Sequence, residues 1–191
     1  DDDNVCLIAG RFQPGAAGLG GGGCETEWRF KFDGAATTFP AIYVGFSETM
    51  VFDTPVMPAE FATATMTYNG TGGMVGFNLD IDGTIDDFRA LQGDAAAGGT
   101  GSGTTGVRAS ETLTADEWYV ARVEIDQAGT SRCYLGHKGG QLDLIGDFTT
   151  AGITSTDQQY AVLMAENRTA AARVFEVDYG YGHGWRDWRN T

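Results

Sequence analysis

The sequence predicts an all-β protein built as a two-sheet antiparallel jelly-roll sandwich, and three observations carry this prediction. Apolar and polar residues alternate over short segments, which is the two-residue period of a half-buried strand. Turn-forming residues separate these segments, and the 29 glycines fall mainly in loops, where positive φ angles are common. Helical periodicity is nearly absent, and its best candidate, 58–64, is a turn or two at most.

Nine segments read as strands in chain order. The first alternates most cleanly, with Trp28, Phe30 and Phe32 on one face and charged residues on the other. An Asp82-Gly83 turn joins the fourth segment to the fifth as a hairpin, and short polar turns predict an antiparallel meander for the late strands. The segments are 27–32, 41–46, 61–68, 74–81, 87–91, 118–125, 131–135, 160–165 and 174–181.

The length of 191 residues fits one domain, 1–191, in which 1–24 is interpreted as an N-terminal arm or loop. Two low-complexity stretches, 14–23 and 94–106, are predicted to be surface loops because they offer little apolar area for burial. No apolar run approaches the ~18 residues that a membrane-spanning helix needs.

Charge and cysteine content exclude several classes of partner. The formal net charge of −14 repels nucleic-acid backbones and anionic membranes, and it favours solubility or a basic partner. Cys6, Cys24 and Cys133 form neither a disulfide framework nor a zinc motif. They are interpreted as reduced or buried thiols, with a Cys6–Cys24 bridge as the alternative.

The positions of the carboxylates argue against a glycosidase function. Retaining glycosidases need two carboxyl groups about 5 Å apart, which a run of three alternating acidic residues on one strand can provide. Here Glu176 and Asp178 are followed by Gly180, and Glu124 and Asp126 are followed by Ala128. The sequence therefore predicts a protein that is not an enzyme and has no catalytic residues.

The last predicted strand, 174–181, places four apolar or aromatic residues on its inner face. Glu176 and Asp178 then lie on the solvent face. The inner residues are Phe175, Val177, Tyr179 and Tyr181.

Neither a metal nor a cofactor is predicted. Asp80, Asp82, Asp86 and Asp87 cluster around a turn, but their spacing breaks the EF-hand pattern, so solvated charges are expected rather than a calcium site. The histidines, His137 and His183, lie far apart and outside any nucleophile pattern.

Three tryptophans are candidate interface or glycan contacts: Trp118, Trp185 and Trp188. Tryptophan anchors protein interfaces and its flat ring stacks on apolar faces. The alternative for the C-terminal pair is that the tail folds back and caps the sandwich.

Several stretches resemble concanavalin A-like, laminin-G-like domains encoded by tailed bacteriophages. The resemblance lies in 75–82, 116–126, 128–135, 160–179 and 186–188, and thus covers roughly 74–188. It implies a concanavalin A-like jelly roll that serves as a virion component. The stretch 134–140 departs from the short hairpin of many such domains, which puts a shared ligand site there in doubt.

Two functions follow as expectations. The first is a non-catalytic phage virion structural protein, a capsid decoration (cement) or head-fibre component, located in the virion. It would bind the major capsid protein or other virion proteins as a homo-oligomer. The alternative is a lectin-like carbohydrate-binding module for host-surface attachment, which would bind a cell-surface glycan through its exposed tryptophans.

Overall fold

The structure is a computed structural model that describes residues 4–15, 22–34, 38–50, 56–62, 65–69, 72–81, 87–94, 100–102, 106–109, 113–149, 153, 157–167 and 172–184. Within these ranges the chain forms fourteen β-strands and no helix. The paired strands are all antiparallel, and two large sheets stack face to face, so the predicted two-sheet antiparallel sandwich is confirmed.

The strands form three sheets, named here sheets I, II and III. Sheet I has the order β1 (Asn4–Phe12), β13 (Gln159–Glu166), β3 (Ala41–Ser47), β6 (Gly73–Leu79), β7 (Arg89–Asp94) and β9 (Val107–Arg108). Sheet II has the order β12 (Asp143–Phe148), β11 (Ser131–His137), β10 (Tyr119–Ile125), β2 (Cys24–Phe32) and β14 (Phe175–Gly184). Sheet III has the order β4 (Ala59–Ala62), β5 (Thr65–Tyr68) and β8 (Thr100–Ser102).

The main core fills the space between sheets I and II. Alternation in β2 and β10 turns Phe30, Phe32 and Tyr119 inward, where each is at most 1% exposed. Phe32 stacks on Tyr119 with the ring centroids 5.4 Å apart, and Phe88 meets Phe32 edge-on at 6.3 Å. Burying rings of this size stabilises the fold by roughly 2–3 kcal/mol each relative to exposure.

A second core lies between sheet I and sheet III. It contains Tyr43 from β3, Phe61 from β4 and Met66 from β5. Because sheet I is covered on both faces, β3 and β6 are buried at every position. This is why β3 is a nearly continuous apolar run in the sequence rather than an alternating one.

The helical candidate at 58–64 is wrong, because Ala59–Ala62 is strand β4. The single strand predicted at 61–68 is likewise two strands, since β4 pairs antiparallel with β5. The extended backbone is held by burial of Ala59 and Phe61 in the second core and by a 2.8 Å hydrogen bond from the Phe61 N–H to the Asp80 carboxylate.

Four strands lie where the sequence predicted none: β1, β8, β9 and β12. Strand β1 occupies part of the segment interpreted as an arm or loop, and β8 lies within the stretch 94–106 that was predicted to be a loop. The Asp82-Gly83 turn lies outside the described residues, but β6 and β7 pair antiparallel as the predicted hairpin requires.

The predicted late meander is correct for β10 and β11, which the unpredicted strand β12 extends, and it is wrong for the last two strands. Strand β13 crosses to sheet I between β1 and β3, and β14 returns to sheet II beside β2. Strand β13 lies inside sheet I because it is buried on both faces. Leu163 faces the main core while Val162 and Met164 face the second core, which only an interior strand of sheet I allows.

The three cysteines are free thiols. Cys24 and Cys133 belong to the main core, whereas Cys6 packs against the second core. Burial raises the pKa of Cys24 and Cys133, so neither ionises at neutral pH. The structure therefore agrees with reduced, buried thiols and not with a Cys6–Cys24 bridge.

Candidate ligand-binding face

A β-bulge in β14 shapes the outer face of sheet II, the face turned away from the main core. The register against β2 shifts between Val177 and Tyr179. Phe175 and Val177 pack against the main core as predicted, but beyond the shift Tyr179 and Tyr181 bond to glutamates on the outer face. Their predicted inward placement is wrong, because the extra residue of the bulge inverts the alternation.

Three glycines after the bulge explain why this inverted register fits. Gly180 and Gly182 face aromatic rings that leave no room for a Cβ atom, and Gly184 lies against Cys24. A Cβ on Gly180 would lie 2.0 Å from the Trp28 ring, and one on Gly182 would lie 2.6 Å from the Phe12 ring. The alternation of glycine with Tyr181 and His183 therefore places the polar side chains outward.

The outward side chains form a hydrogen-bonded set, the Arg122 network, made of Glu25, Glu27, Arg122, Tyr179 and Tyr181. Glu27 is only 8% exposed, and its carboxylate accepts from Arg122 Nε at 2.8 Å and from the Tyr179 hydroxyl at 2.7 Å. Tyr181 donates to Glu25 at 3.3 Å and accepts from Arg122 at 3.4 Å. Cross-strand pairing of β10, β2 and β14 brings these residues together.

Burial and the neighbouring carboxylate raise the pKa of Tyr179 to about 12. Burial lowers the pKa of Arg122, but the hydrogen bond to Glu27 and the charge interactions with Glu27, Tyr181 and Glu25 together outweigh this, and the net shift is upward. At neutral pH Tyr179 is therefore a neutral donor and Arg122 a cation.

Next to this network, a row of polar residues crosses sheet II. Cross-strand register sets each member opposite the next, one from each strand of the sheet. The row consists of Asp147, Arg132, Glu124, Glu25 and His183.

The row borders a depression of about 570 Å³ at the end of sheet II, the end depression. Its polar lining includes Glu25, Glu124, Asp126, Arg132 and His183, and Gly23 and Gly184 form part of its rim. The His183 imidazole makes no hydrogen bond to another residue within the described ranges. The volume is in the range of a small-molecule site.

Asp126 shapes the turn that bounds the end depression. Its carboxylate accepts from the backbone N–H groups of Ala128 at 2.8 Å and Thr130 at 2.9 Å. Burial raises the pKa of Asp126, but hydrogen bonds from Thr130, Ala128 and Gly129 outweigh it, and the net pKa is lowered. Asp126 is thus an ionised turn residue, and the Glu124–Asp126 sequence pair is divided between the strand and the turn.

The other carboxylate pair is neutralised. Asp178 forms an ion pair with Arg29, and Glu176 pairs with Lys31 at 2.9 Å. The same two cations lie over the ring of Trp118, with Arg29 Cζ 4.6 Å and Lys31 Nζ 5.2 Å from the ring centroid. Trp118 therefore already has cation–π partners, and any ligand stacked on it would compete with them.

Trp185 and Trp188 lie outside the described residues. In the chain, Trp185 directly follows Gly184 on the rim of the end depression.

His137 lies at the opposite end of sheet II. It stacks on Tyr119 with the ring centroids 4.7 Å apart and bonds to Glu117. A hydrogen bond from Lys138 lowers the pKa of Glu117. The altered stretch 134–140 is thus the end of strand β11, up to His137, and the turn that follows it.

The predicted aspartate cluster is only partly described. Asp80 is buried and holds β4, and Asp87 pairs with Arg108, while Asp82 and Asp86 lie outside the described residues. Within the part of the chain that the structure describes, no group of three His, Cys, Asp or Glu side chains is placed to hold a metal ion.

No protein-family model matches the chain, and no curated protein matches it. Solved structures do match. Lectin II from Ulex europaeus superposes with a TM-score of 0.59 at 9% identity over 96% of this chain and 83% of that one. A legume lectin-like domain from Entamoeba histolytica gives 0.55 at 11% identity over 95% and 89%. Peanut lectin gives 0.54 at 10% identity over 96% and 80%.

The chain has the concanavalin A-like fold of legume lectins. This confirms the fold part of the resemblance; at such low identity the likeness extends to the fold alone. Among the described residues, no helix is both long and apolar enough to span a membrane.

Sequence reasoning missed most of this face. Glu27, Arg122 and Tyr181 are far apart in sequence, and the bulge that turns the tyrosines outward leaves no local pattern. The available signal was the strict alternation of Glu25, Glu27, Arg29 and Lys31 in β2, which marks an outer face crowded with charge.

Proposed function

We propose that the chain is a non-catalytic, lectin-like carbohydrate-binding module that binds its ligand on the outer face of sheet II. The observation that carries the proposal is the Arg122 network together with the adjoining end depression. A sugar presents hydroxyl groups that both donate and accept, and held carboxylates, tyrosine hydroxyls and an imidazole can bond to them. Interlocked side chains lose little entropy on binding, which favours affinity.

The charge of the end depression indicates which classes of sugar we expect to bind. Glu25, Glu124 and Asp126 line it, whereas Arg132, the one arginine among its described lining residues, has its Nε 3.4 Å from Asp147. A carboxylated or sulfated sugar would be repelled by these groups and by the net charge of −14. We therefore expect neutral or amino sugars as ligands.

The arrangement of carboxylates supports a module without turnover. A general acid in a glycosidase needs a raised pKa. The pKa of Asp126 is lowered instead, Glu27 is bonded to Arg122 and Tyr179, and Glu176 and Asp178 are paired with cations. Release of reducing ends from any glycan would contradict this part of the proposal.

Titration calorimetry after a glycan-array screen tests the binding function. We expect the chain to bind a neutral or amino sugar, and His183→Ala and Tyr181→Phe each to weaken binding about tenfold, because each removes one hydrogen-bonding group. Tyr160→Phe removes a hydroxyl from sheet I and is the matched control, with affinity unchanged. If no glycan binds, the proposal is wrong.

The phage resemblance supports a second proposal about location: the module is carried on a virion as a decoration or head-fibre protein, bound to the major capsid protein or another virion protein. The net charge of −14 suits a basic patch on such a shell. Co-sedimentation of the purified chain with particles that lack it is the test. Binding that weakens as salt rises is expected, and failure to bind at low salt would contradict it.

A further inference from the structure

Among the described residues that line the end depression, His183 is the one histidine. Histidine is the side chain whose charge ordinarily changes between about pH 5 and 8. The neutral imidazole carries one hydrogen-bond donor and one acceptor, whereas the imidazolium only donates. A change of pH in this range therefore changes what position 183 offers to a sugar hydroxyl group, which both donates and accepts.

Glu25 lies directly across from His183 in sheet II. The register pairs His183 of β14 with Glu25 of β2, and both residues line the end depression. Side chains at paired positions on one face have their Cβ atoms about 4.5–5.5 Å apart. The Glu25 carboxylate accepts from the Tyr181 hydroxyl at 3.3 Å, which is long for such a bond. The carboxylate is therefore within reach of an imidazolium and is only weakly held by Tyr181.

The surroundings of His183 carry more negative than positive charge. The charged and titratable groups around it are Glu25 of β2, Glu124 of β10, Asp126 of the turn after β10, Arg132 of β11, and Tyr181 on its own strand. Arg132 Nε is 3.4 Å from Asp147, and in the Arg122 network the cation is bonded to Glu27 at 2.8 Å. Both arginines thus have carboxylate partners of their own, so an imidazolium at position 183 meets carboxylates that the arginines do not neutralise.

We infer that protonation of His183 switches the end depression from binding its ligand to releasing it, an inference that rests on the carbohydrate-binding function proposed above. In the neutral state the imidazole and the Glu25 carboxylate each bond to the sugar. The imidazolium instead donates to Glu25 in a charge-assisted hydrogen bond. This takes the imidazole acceptor and a carboxylate oxygen away from the sugar together. Binding is therefore present above the pH range in which the imidazole gains its proton and is lost as the pH falls through that range.

Titration calorimetry of the full chain, with the sugar that binds best in the glycan screen, tests the switch at about pH 7.5 and about pH 5, on either side of the range in which histidine titrates. We expect the affinity of the unaltered chain to fall about tenfold between the two, the loss that one or two hydrogen bonds account for. His183→Gln keeps a donor and an acceptor but has no titrating proton, so it should not show this fall. Because a titrating amine on the sugar would affect both proteins equally, the ratio of their Kd values at each pH isolates the contribution of His183.

Two further variants separate His183 from other causes. Glu25→Gln removes the partner of the imidazolium and should reduce the fall in affinity. His137→Gln is the matched control, since it removes the chain's other histidine, at the opposite end of sheet II, and it should retain the fall. A ratio of Kd values that is the same at both pH values would overturn the switch and leave the carbohydrate-binding function standing. Binding of no sugar at either pH would overturn both.

Discussion

At the scale of single residues, glycine and aspartate positions decide the shape of the ligand-binding face. Gly180 is required by the close approach of β14 to Trp28, and it occupies the place where a third alternating carboxylate would stand. Because the bulge turns position 180 inward, a carboxylate there would not share a face with Glu176 and Asp178. Packing against Trp28 therefore explains why glycine, and not a third acid, occupies position 180.

Gly180→Ala should lower the free energy of unfolding by about 1–3 kcal/mol, because the new methyl group overlaps the Trp28 ring. Urea denaturation measures this. In a Trp28→Phe background the loss should be smaller, since the smaller ring leaves room. An equal loss in both backgrounds would show that Trp28 is not the obstacle.

Asp126 links stability to pH. Its pKa is lowered in the folded chain, so its contribution to stability is present above the unfolded-state value, about 4, and is lost as the pH falls through the folded value. Asp126→Ala should therefore destabilise the chain at pH 7, and the difference should narrow in acid. Asp143→Ala, at an exposed position, controls for the loss of one negative charge. If the stability difference between Asp126→Ala and the unaltered chain does not change with pH, the link between Asp126 and pH-dependent stability is wrong.

At the scale of strands, sequence patterning predicted the elements with one buried face and missed those without it. Strands β2 and β10 were recognised because their outward residues are charged and their inward ones apolar. Strand β1 was missed because apolar residues point to both its faces, and β12 because its edge position leaves half of its residues exposed and only one buried. Strand β14 was predicted, but its residues beyond the bulge, Tyr179 and Tyr181, were assigned to the wrong face.

The Arg122 network holds three strands of sheet II together. Arg122→Met should cost about 1–3 kcal/mol of unfolding free energy, because it leaves the nearly buried Glu27 carboxylate without its cation. Chemical denaturation should show part of this loss recovered when Glu27→Gln is added. Arg132→Met is the matched control, since its side chain is 57% exposed and its loss should cost less than about 1 kcal/mol.

At the scale of the whole molecule, the fold class could be predicted from the sequence and the candidate ligand-binding face could not. Two-residue periodicity gives strands with one apolar face, and sheets of such strands must stack to bury that face, whatever the order of the strands. The face depends on which strands become neighbours, and Glu27 and Arg122 are 95 residues apart. Strand β14 follows β13, which lies in sheet I, and its pairing with β2 in sheet II completes the network.

The most direct test of the account is to map a bound neutral or amino sugar by backbone amide chemical shifts in nuclear magnetic resonance spectra. We predict that the shifts that change on titration cluster at 24–27, 122–126 and 181–184, around the Arg122 network and the end depression. Changes confined to sheets I and III, or no change with any sugar, would contradict the claim that the outer face of sheet II is a carbohydrate-binding surface.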